Sequence, residues 1–232
     1  MRWEDWEPLY SEILVDMGYR REDDESAAAL LASMLDADSD DSDSRLRSAL
    51  AGREVTVVGA APGVESALEG FEAEGVVIAA GSACLYLMDA GIVPDMLVTD
   101  LDGDAESQLE ACRQGAIPLL HAHGDNMGLL REMVPLMTGA MGSCQCEPLP
   151  GLVNYGGFTD GDRAVCLARH FGAGLNLLGF DFNDARGEGE EREIKMRKLR
   201  WAEKIVRICA PESFQDAEGS KRTVIKAERD YC

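Results

Sequence analysis

Residues 55–66 read VTVVGAAPGVES: a β-branched apolar run, a turn holding Gly59 and Gly63, and the opening of an amphipathic stretch. A short apolar run that passes through glycine into a helical pattern is how a strand feeds a helix in an α/β sheet. The same unit recurs along the chain. VVIAA (Val76 to Ala80), MLVTD (Met96 to Asp100), IPLLHAH (Ile117 to His123) and LNLLGFDF (Leu175 to Phe182) read as further strands. Segments beginning near Gly63, Ser82, Asp104, Asp125 and Thr159 read as helices, several opened by Ser, Asp or Thr at an N-cap position. This alternation predicts a doubly wound, mostly parallel α/β sheet. Ligands of such sheets bind beyond the carboxyl ends of the strands. Each predicted strand here runs into small, acidic or imidazole residues: GAAPG, GSA, DLDGD, HAHGDN and DFND.

Outside that core, residues 1–50 are predicted to form a helical N-terminal region, with Trp3, Trp6, Leu9, Ile13, Leu14 and Met17 at helical spacing. The α/β core is expected over 51–185. Residues 186–232 follow as a loop, a long helix from about Arg192 to Cys209, and the run RTVIKAE, an edge strand or a docking tail.

At 232 residues the chain can bury a substantial core. Its 43 acidic against 22 basic residues give a formal charge of −21, a surface that repels phosphate backbones and anionic lipid, so neither nucleic acid nor membrane is an expected partner. Arg greatly outnumbers Lys, and the run DADSDDSDS (Asp36 to Ser44) is strongly acidic. The excess fits either a fold suited to concentrated salt or an acidic surface with a solvated loop. Seven cysteines, most in segments that read as core or helix, suit reduced thiols better than a disulfide framework, and the CQC pair at Cys144 and Cys146 lacks a second pair at zinc spacing. With no signal-peptide core and no long apolar span, a soluble cytoplasmic protein is expected.

The chemistry concentrates at the strand ends. If the chain stays extended after Thr99, Asp100 and Asp102 share a face and can approach one hard cation together; the alternative is an acidic turn. Asp104 heads a helical pattern and reads as an N-cap. Gly59 and Gly63, and the small-residue turn Gly81 and Ser82, would let phosphates approach the backbone, although the first loop is neither a GxGxxG fingerprint nor a Walker A loop. His121 and His123, followed by Asp125, suggest a metal-dependent hydrolase as an alternative. Only His170 is left as a further histidine, in a helical stretch, so both are expected to line a nucleotide or acceptor pocket instead. In NYGGFTDGDRAVCLA, Thr159 and Asp160 are caps or site residues; Asp160 and Asp162 can join a metal shell, and Arg163 can reach a phosphate. Asp181 of GFDF offers another strand-end carboxylate. Lys195 and Lys198, one helical turn apart, form either a phosphate clamp or a solvated face.

Taken together, AAGSACLYLMDAGIVPDMLVTDLDG (Ala79 to Gly103) resembles the signature of the thiamine diphosphokinase superfamily, in which a small-residue turn and helix lead through Gly-x-x-Pro-Asp to Asp-x-Asp. With HAHGDN, GGFTDGDRA and GFDF following in order, the chain more closely resembles the archaeal 6-hydroxymethyl-7,8-dihydropterin diphosphokinase family over about residues 54 to 205. That resemblance implies a Rossmann-like core and a Mg²⁺-dependent transfer of diphosphate from ATP to the hydroxymethyl group of a reduced pterin, releasing AMP, on the way to methanopterin or folate-type cofactors. It places Asp100 and Asp102 at the metal-binding Asp-x-Asp. Asp125 is the carboxylate assigned to take the acceptor's proton. The first loop, GAAPGVE, departs from the family's Gly-x-Gly-Pro-Ser. A diphosphokinase acting on thiamine is the second alternative, although little chain follows Phe182 to build the β-sandwich of thiamine enzymes. ATP and the pterin are the expected partners, with self-association open.

Overall fold

The computed structural model describes residues 1–35, 41–214 and 225–226. Three helices, α1 (Trp3–Met17), α2 (Arg21–Met34) and α3 (Ser42–Leu50), precede the sheet. Then β1 (Glu54–Val58), α4 (Val64–Leu68), β2 (Val76–Ala80), α5 (Ala83–Asp89), β3 (Met96–Thr99), α6 (Ala105–Arg113), β4 (Ile117–Ala122) and α7 (Met127–Met133) alternate as the sequence predicts. Two strands that the sequence does not predict follow, β5 (Met141–Cys144) and β6 (Leu152–Val153). Their signals are weak because β5 carries Gly142 and Ser143 and β6 is two residues long. Cys144 and Cys146 are both buried, Cys144 at the end of β5. The chain closes with α8 (Asp160–His170), β7 (Gly174–Leu178), α9 (Gly189–Cys209) and β8 (Ile225–Lys226).

The strand order is β6-β5-β4-β3-β2-β1-β7-β8; every pair is parallel except β7 with β8. From β1 the chain steps one way through to β6, then returns through α8 to set β7 on the other side of β1. Right-handed crossovers therefore put the outward helices on one face and α8 on the other. The packing agrees: Val58, Val77, Ala79 and Leu97 meet α4, α5 and α6, whereas Val57, Ile78, Val98 and Leu177 meet α3, α8 and α9. Strands buried on both faces read as the near-continuous apolar runs of the sequence.

The N-terminal helices form a third cluster, in which Trp6, Tyr10, Ile13 and Leu31 pack with Leu120, Leu130 and Cys144. Gly142 favours this packing, since a Cβ there would crowd Leu152 of β6 and would lie 2.6 Å from Leu35, just after α2. α1 also holds α9: Lys204 pairs with Glu12 at 2.8 Å, and the Trp201 indole donates to Asp16 at 2.8 Å. Of the acidic run, Asp41 to Ser44 lead into α3, and 36–40 fall outside the described residues. Of RTVIKAE, Ile225–Lys226 form an edge strand antiparallel to β7, and the rest falls outside the described residues. No helix among the described residues is long and apolar enough to cross a membrane.

Candidate active site

β3 ends at Thr99, and the backbone then kinks rather than running on extended. Leu101 has φ 73°, the one positive φ outside glycine among the described residues. Such a turn is strained for a branched side chain by about 1–3 kcal/mol. Burial of Leu101 among the N-terminal helices, and its backbone N–H donating to Thr99 Oγ1 at 2.9 Å, offset that strain. The expectation of an extended Asp-x-Asp is therefore corrected, yet the kink also brings the two carboxylates together: Asp102 N–H donates to Asp100 Oδ1 at 3.2 Å. Asp104, as expected, caps α6 by accepting from Ser107 N–H at 2.8 Å.

A third carboxylate comes from the opposite face of the sheet. Asp160 is the first residue of α8, and its carboxylate oxygen lies within 4.8 Å of those of Asp100 and Asp102. Thr159 and Asp162 close a capping box around this helix start: the Asp162 carboxylate accepts from Phe158 N–H at 2.6 Å and Thr159 N–H at 2.8 Å. Asp162 is thus a buried cap beneath the cluster and not one of its members. Gly81, with φ 51°, has no side chain to block Asp160.

The three carboxylates do not titrate alike. Burial pushes Asp100 up, but hydrogen bonds from His123 and Asp102 outweigh it and hold Asp100 well below the usual carboxylate range. Asp102 is raised to about 6 by burial and by the Asp100 charge, with Lys198 pulling the other way. Asp160 is raised well above its ordinary value by burial and by the same charge. His123 Nδ1 accepts from Asp125 N–H at 3.3 Å, which leaves the proton on Nε2 to donate to Asp100 Oδ2, also at 3.3 Å. Asn126 ties the two strand ends together, its Nδ2 donating to the Asp100 carbonyl at 2.8 Å and the His121 carbonyl at 2.7 Å.

Two cavities meet at this cluster, sharing Asp100, Phe158 and Lys198. The larger, about 410 Å³, is a cleft lined by Gly59, Gly81, Ser82, Tyr86, Asp102, Thr159, Asp160, Asp181, Arg186 and Lys195. The smaller, about 210 Å³, is lined by His121, His123 and Asp125 together with the α1–α2 turn. Most residues singled out from sequence thus converge on one site. Gly63 and Arg163 do not line the cleft. Gly63 makes the turn into α4, a five-residue helix with little dipole to offer a phosphate. Arg163 lies beneath the cleft, buried, donating to the Phe158 carbonyl at 3.1 Å. Asp181 faces the cleft but stands outside the three-carboxylate cluster, accepting from Asn183 N–H at 2.8 Å. Lys195 pairs with Glu191 at 2.6 Å, whereas Lys198 makes no ion pair with a described residue.

Sequence reasoning passed over four contributors. Phe158 stands between the cavities; Arg186 packs over Tyr86 at 4.9 Å and pairs with Glu65. Asp24 and Gln145 form a buried pair at 2.8 Å in the wall of the smaller cavity. Asp24 lies in an ordinary amphipathic helix and no local signal marks it. Gln145 sits beside the unpredicted β5. His170 packs against Tyr155 at 4.2 Å, away from these cavities.

The donor set is all carboxylate, with no histidine or cysteine in the cluster, which does not support the hydrolase alternative. A family model described as 6-hydroxymethylpterin diphosphokinase MptE-like matches residues 30–187. Three archaeal proteins named 6-hydroxymethyl-7,8-dihydropterin pyrophosphokinase are similar to this chain. The one from Pyrococcus furiosus is 41% identical over 219 residues, covering 89% of this chain and 93% of that protein. Those from Methanothermobacter thermautotrophicus and Methanocaldococcus jannaschii are 38% and 33% identical, covering 87% and 89% of this chain and 92% and 95% of their own lengths. The chain belongs to the MptE-like family of 6-hydroxymethylpterin diphosphokinases.

Proposed function

We propose that this enzyme transfers diphosphate from ATP to the hydroxymethyl group of 6-hydroxymethyl-7,8-dihydropterin and releases AMP. The observation that carries the reading is the pair of cavities meeting at Asp100 and Lys198, beside a cluster of three carboxylates. A donor and an acceptor bound in adjacent cavities come together where the charge is managed. The names of the similar proteins support the pterin as acceptor and do not favour thiamine.

Three oxygen donors so close repel one another, as the raised Asp102 and Asp160 record, and hard oxygen ligands of this kind fit Mg²⁺. Asp100, Asp102 and Asp160 would hold it, with Asp181 facing the same cleft. When bound, Mg²⁺ neutralises phosphate charge and helps align the β-phosphorus for in-line attack. In a chain of charge −21, that neutralisation matters for admitting ATP at all.

The residues' own roles follow from their places. Gly59, Gly81 and Ser82 let phosphates approach the strand ends, and Lys195 and Lys198 supply positive charge along the cleft. His123, donating from Nε2, fixes Asp100 in its ionised form. Asp125, exposed at the smaller cavity, is the group we assign to accept the hydroxyl proton as the new oxygen–phosphorus bond forms and the bridging oxygen leaves with AMP. The test is a product assay: ATP, Mg²⁺ and the reduced pterin alcohol should yield AMP in step with pterin diphosphate, and thiamine in its place should yield none. Phosphate release that ignores the pterin would leave the proposal without support.

A further inference from the structure

The smaller cavity contains an unsatisfied group. His121 is 1% exposed, lines the cavity, and its Nε2 has no hydrogen-bond partner. Its other nitrogen fixes what Nε2 must be. Ser143 Oγ donates its single proton to the Leu120 carbonyl at 3.2 Å, which assigns it as the acceptor at 3.1 Å from His121 Nδ1. Nδ1 therefore carries the proton. Burial, with the nearby Arg163 and His123 charges, outweighs the opposing pull of the neighbouring Gln145 side chain and keeps the ring neutral, and Nε2, which makes no hydrogen bond, is left to present its lone pair. A buried acceptor without a donor is costly to a fold, and a lone pair on the wall of a cavity calls for a donor from a ligand.

The other polar wall is already committed. Asp24 accepts from Gly124 N–H at 2.9 Å through one oxygen and from the Tyr10 hydroxyl at 2.7 Å and Gln145 Nε2 at 2.8 Å through the other. Asp24 thus locks α2 against the loop after β4, with three of its four acceptor positions taken by the protein itself. Part of the lining, Gly18 to Asp24, comes from the α1–α2 segment, which precedes residue 30, where the family match begins.

Given the diphosphokinase reading, on which this inference rests, the acceptor must place its hydroxymethyl oxygen at the junction marked by Asp100 and Lys198. A 2-amino-4-oxo pteridine carries the C6 substituent and the C2 amino group at opposite ends of its long axis. With C6 at the junction, the amino end lies within the smaller cavity, where His121 is part of the lining. We propose that His121 Nε2 accepts a hydrogen bond from the 2-amino group of the bound pterin, making His121 a specificity-determining residue in a subsite completed by the α1–α2 turn.

Direct binding of 6-hydroxymethyl-7,8-dihydropterin, followed by fluorescence without ATP, tests this alongside steady-state kinetics. His121→Phe keeps the ring's bulk and removes the acceptor; it should weaken pterin binding and raise the pterin KM at least about tenfold, with the ATP KM little changed. His121→Gln, which restores an acceptor, should recover most of the loss. The wild-type enzyme should bind the 2-desamino analogue at least about tenfold more weakly than the pterin, a comparison that needs no variant to fold. His121→Phe should bind the two alike. If wild type binds both equally, or His121→Phe keeps the preference, the role of His121 is overturned while the diphosphokinase reading stands. If wild type neither binds the pterin nor makes AMP from it, that reading itself fails.

Discussion

A Cβ built on Gly81 would stand 2.4 Å from Asp160 Oδ2. The small residue after β2 is therefore what admits the third carboxylate, from the far face of the sheet, to the pair after β3. Gly81→Ala should push Asp160 away and also place alanine at φ 51°, a strain of about 1 kcal/mol. The expected outcome is a folded protein whose half-saturating Mg²⁺ concentration rises roughly tenfold or more, since a tenfold change needs only about 1.4 kcal/mol. Activity titrated against Mg²⁺ measures it.

The raised pKa of Asp102 gives the metal site a pH dependence. In the metal-free protein the folded state holds this proton more tightly than the unfolded chain. That stabilisation is present at low pH and is lost as pH rises through about 6. A cation needs the proton gone. Mg²⁺ affinity should therefore climb with pH, by up to about tenfold per pH unit below 6 from this proton alone, and the buried Asp160, whose carboxyl is also raised, adds to the rise. Calorimetric titrations at pH 5 and 7.5 check both the affinity and the proton release; an affinity indifferent to pH over that range would put the metal elsewhere.

Replacing the carboxylates themselves should separate chemistry from folding. Asp100→Asn and Asp102→Asn are each expected to lower kcat by about a thousandfold, because transition-state charge then goes unmanaged. Circular dichroism should stay native, since neither residue sits in the apolar core. Full turnover by either variant would relocate the metal pair.

Asn126 is 2% exposed and serves both strand ends: Asp100 and His121 through its donors, and the His123 N–H, at 3.1 Å, through its oxygen. Asn126→Ala would orphan three backbone groups. A loss of about 3 kcal/mol is expected, or a Tm lower by roughly 6–12 °C for a chain of this size, with activity falling as Asp100 loosens. A thermal melt shifted by less than about 2 °C would argue against that bracing role.

The two lysines of α9 should differ. Lys198 faces both cavities and pulls on Asp102, while Lys195 is already paired with Glu191. Lys198→Met is expected to lower kcat/KM by about 10- to 100-fold, and Lys195→Met by less than about tenfold. Side-by-side steady-state kinetics decide the order.

Much of this architecture is written locally. The apolar runs, the glycine turns and the acidic strand ends each state their role within a few residues, so the sheet and the location of the site are legible. What eluded the sequence depends on distant partners. The kink at Leu101 is tolerated in part because its side chain is buried in the cluster that the N-terminal helices build. Asp24 matters because it meets Gly124, 100 residues away. Arg163 reads as a free cation, yet α8 is packed across the sheet so closely that its side chain is sealed beneath the site. β5 breaks its own pattern with Gly142, where the side chains of Leu152, Leu35 and Leu31 occupy the space a Cβ would need.

The central claim is transfer of an intact diphosphate, and the fate of the β-phosphorus tests it most directly. With ATP labelled at the β position, Mg²⁺ and 6-hydroxymethyl-7,8-dihydropterin, the label should move into the pterin product in step with AMP. Label retained in ADP would mean single-phosphoryl transfer or hydrolysis and would contradict the account.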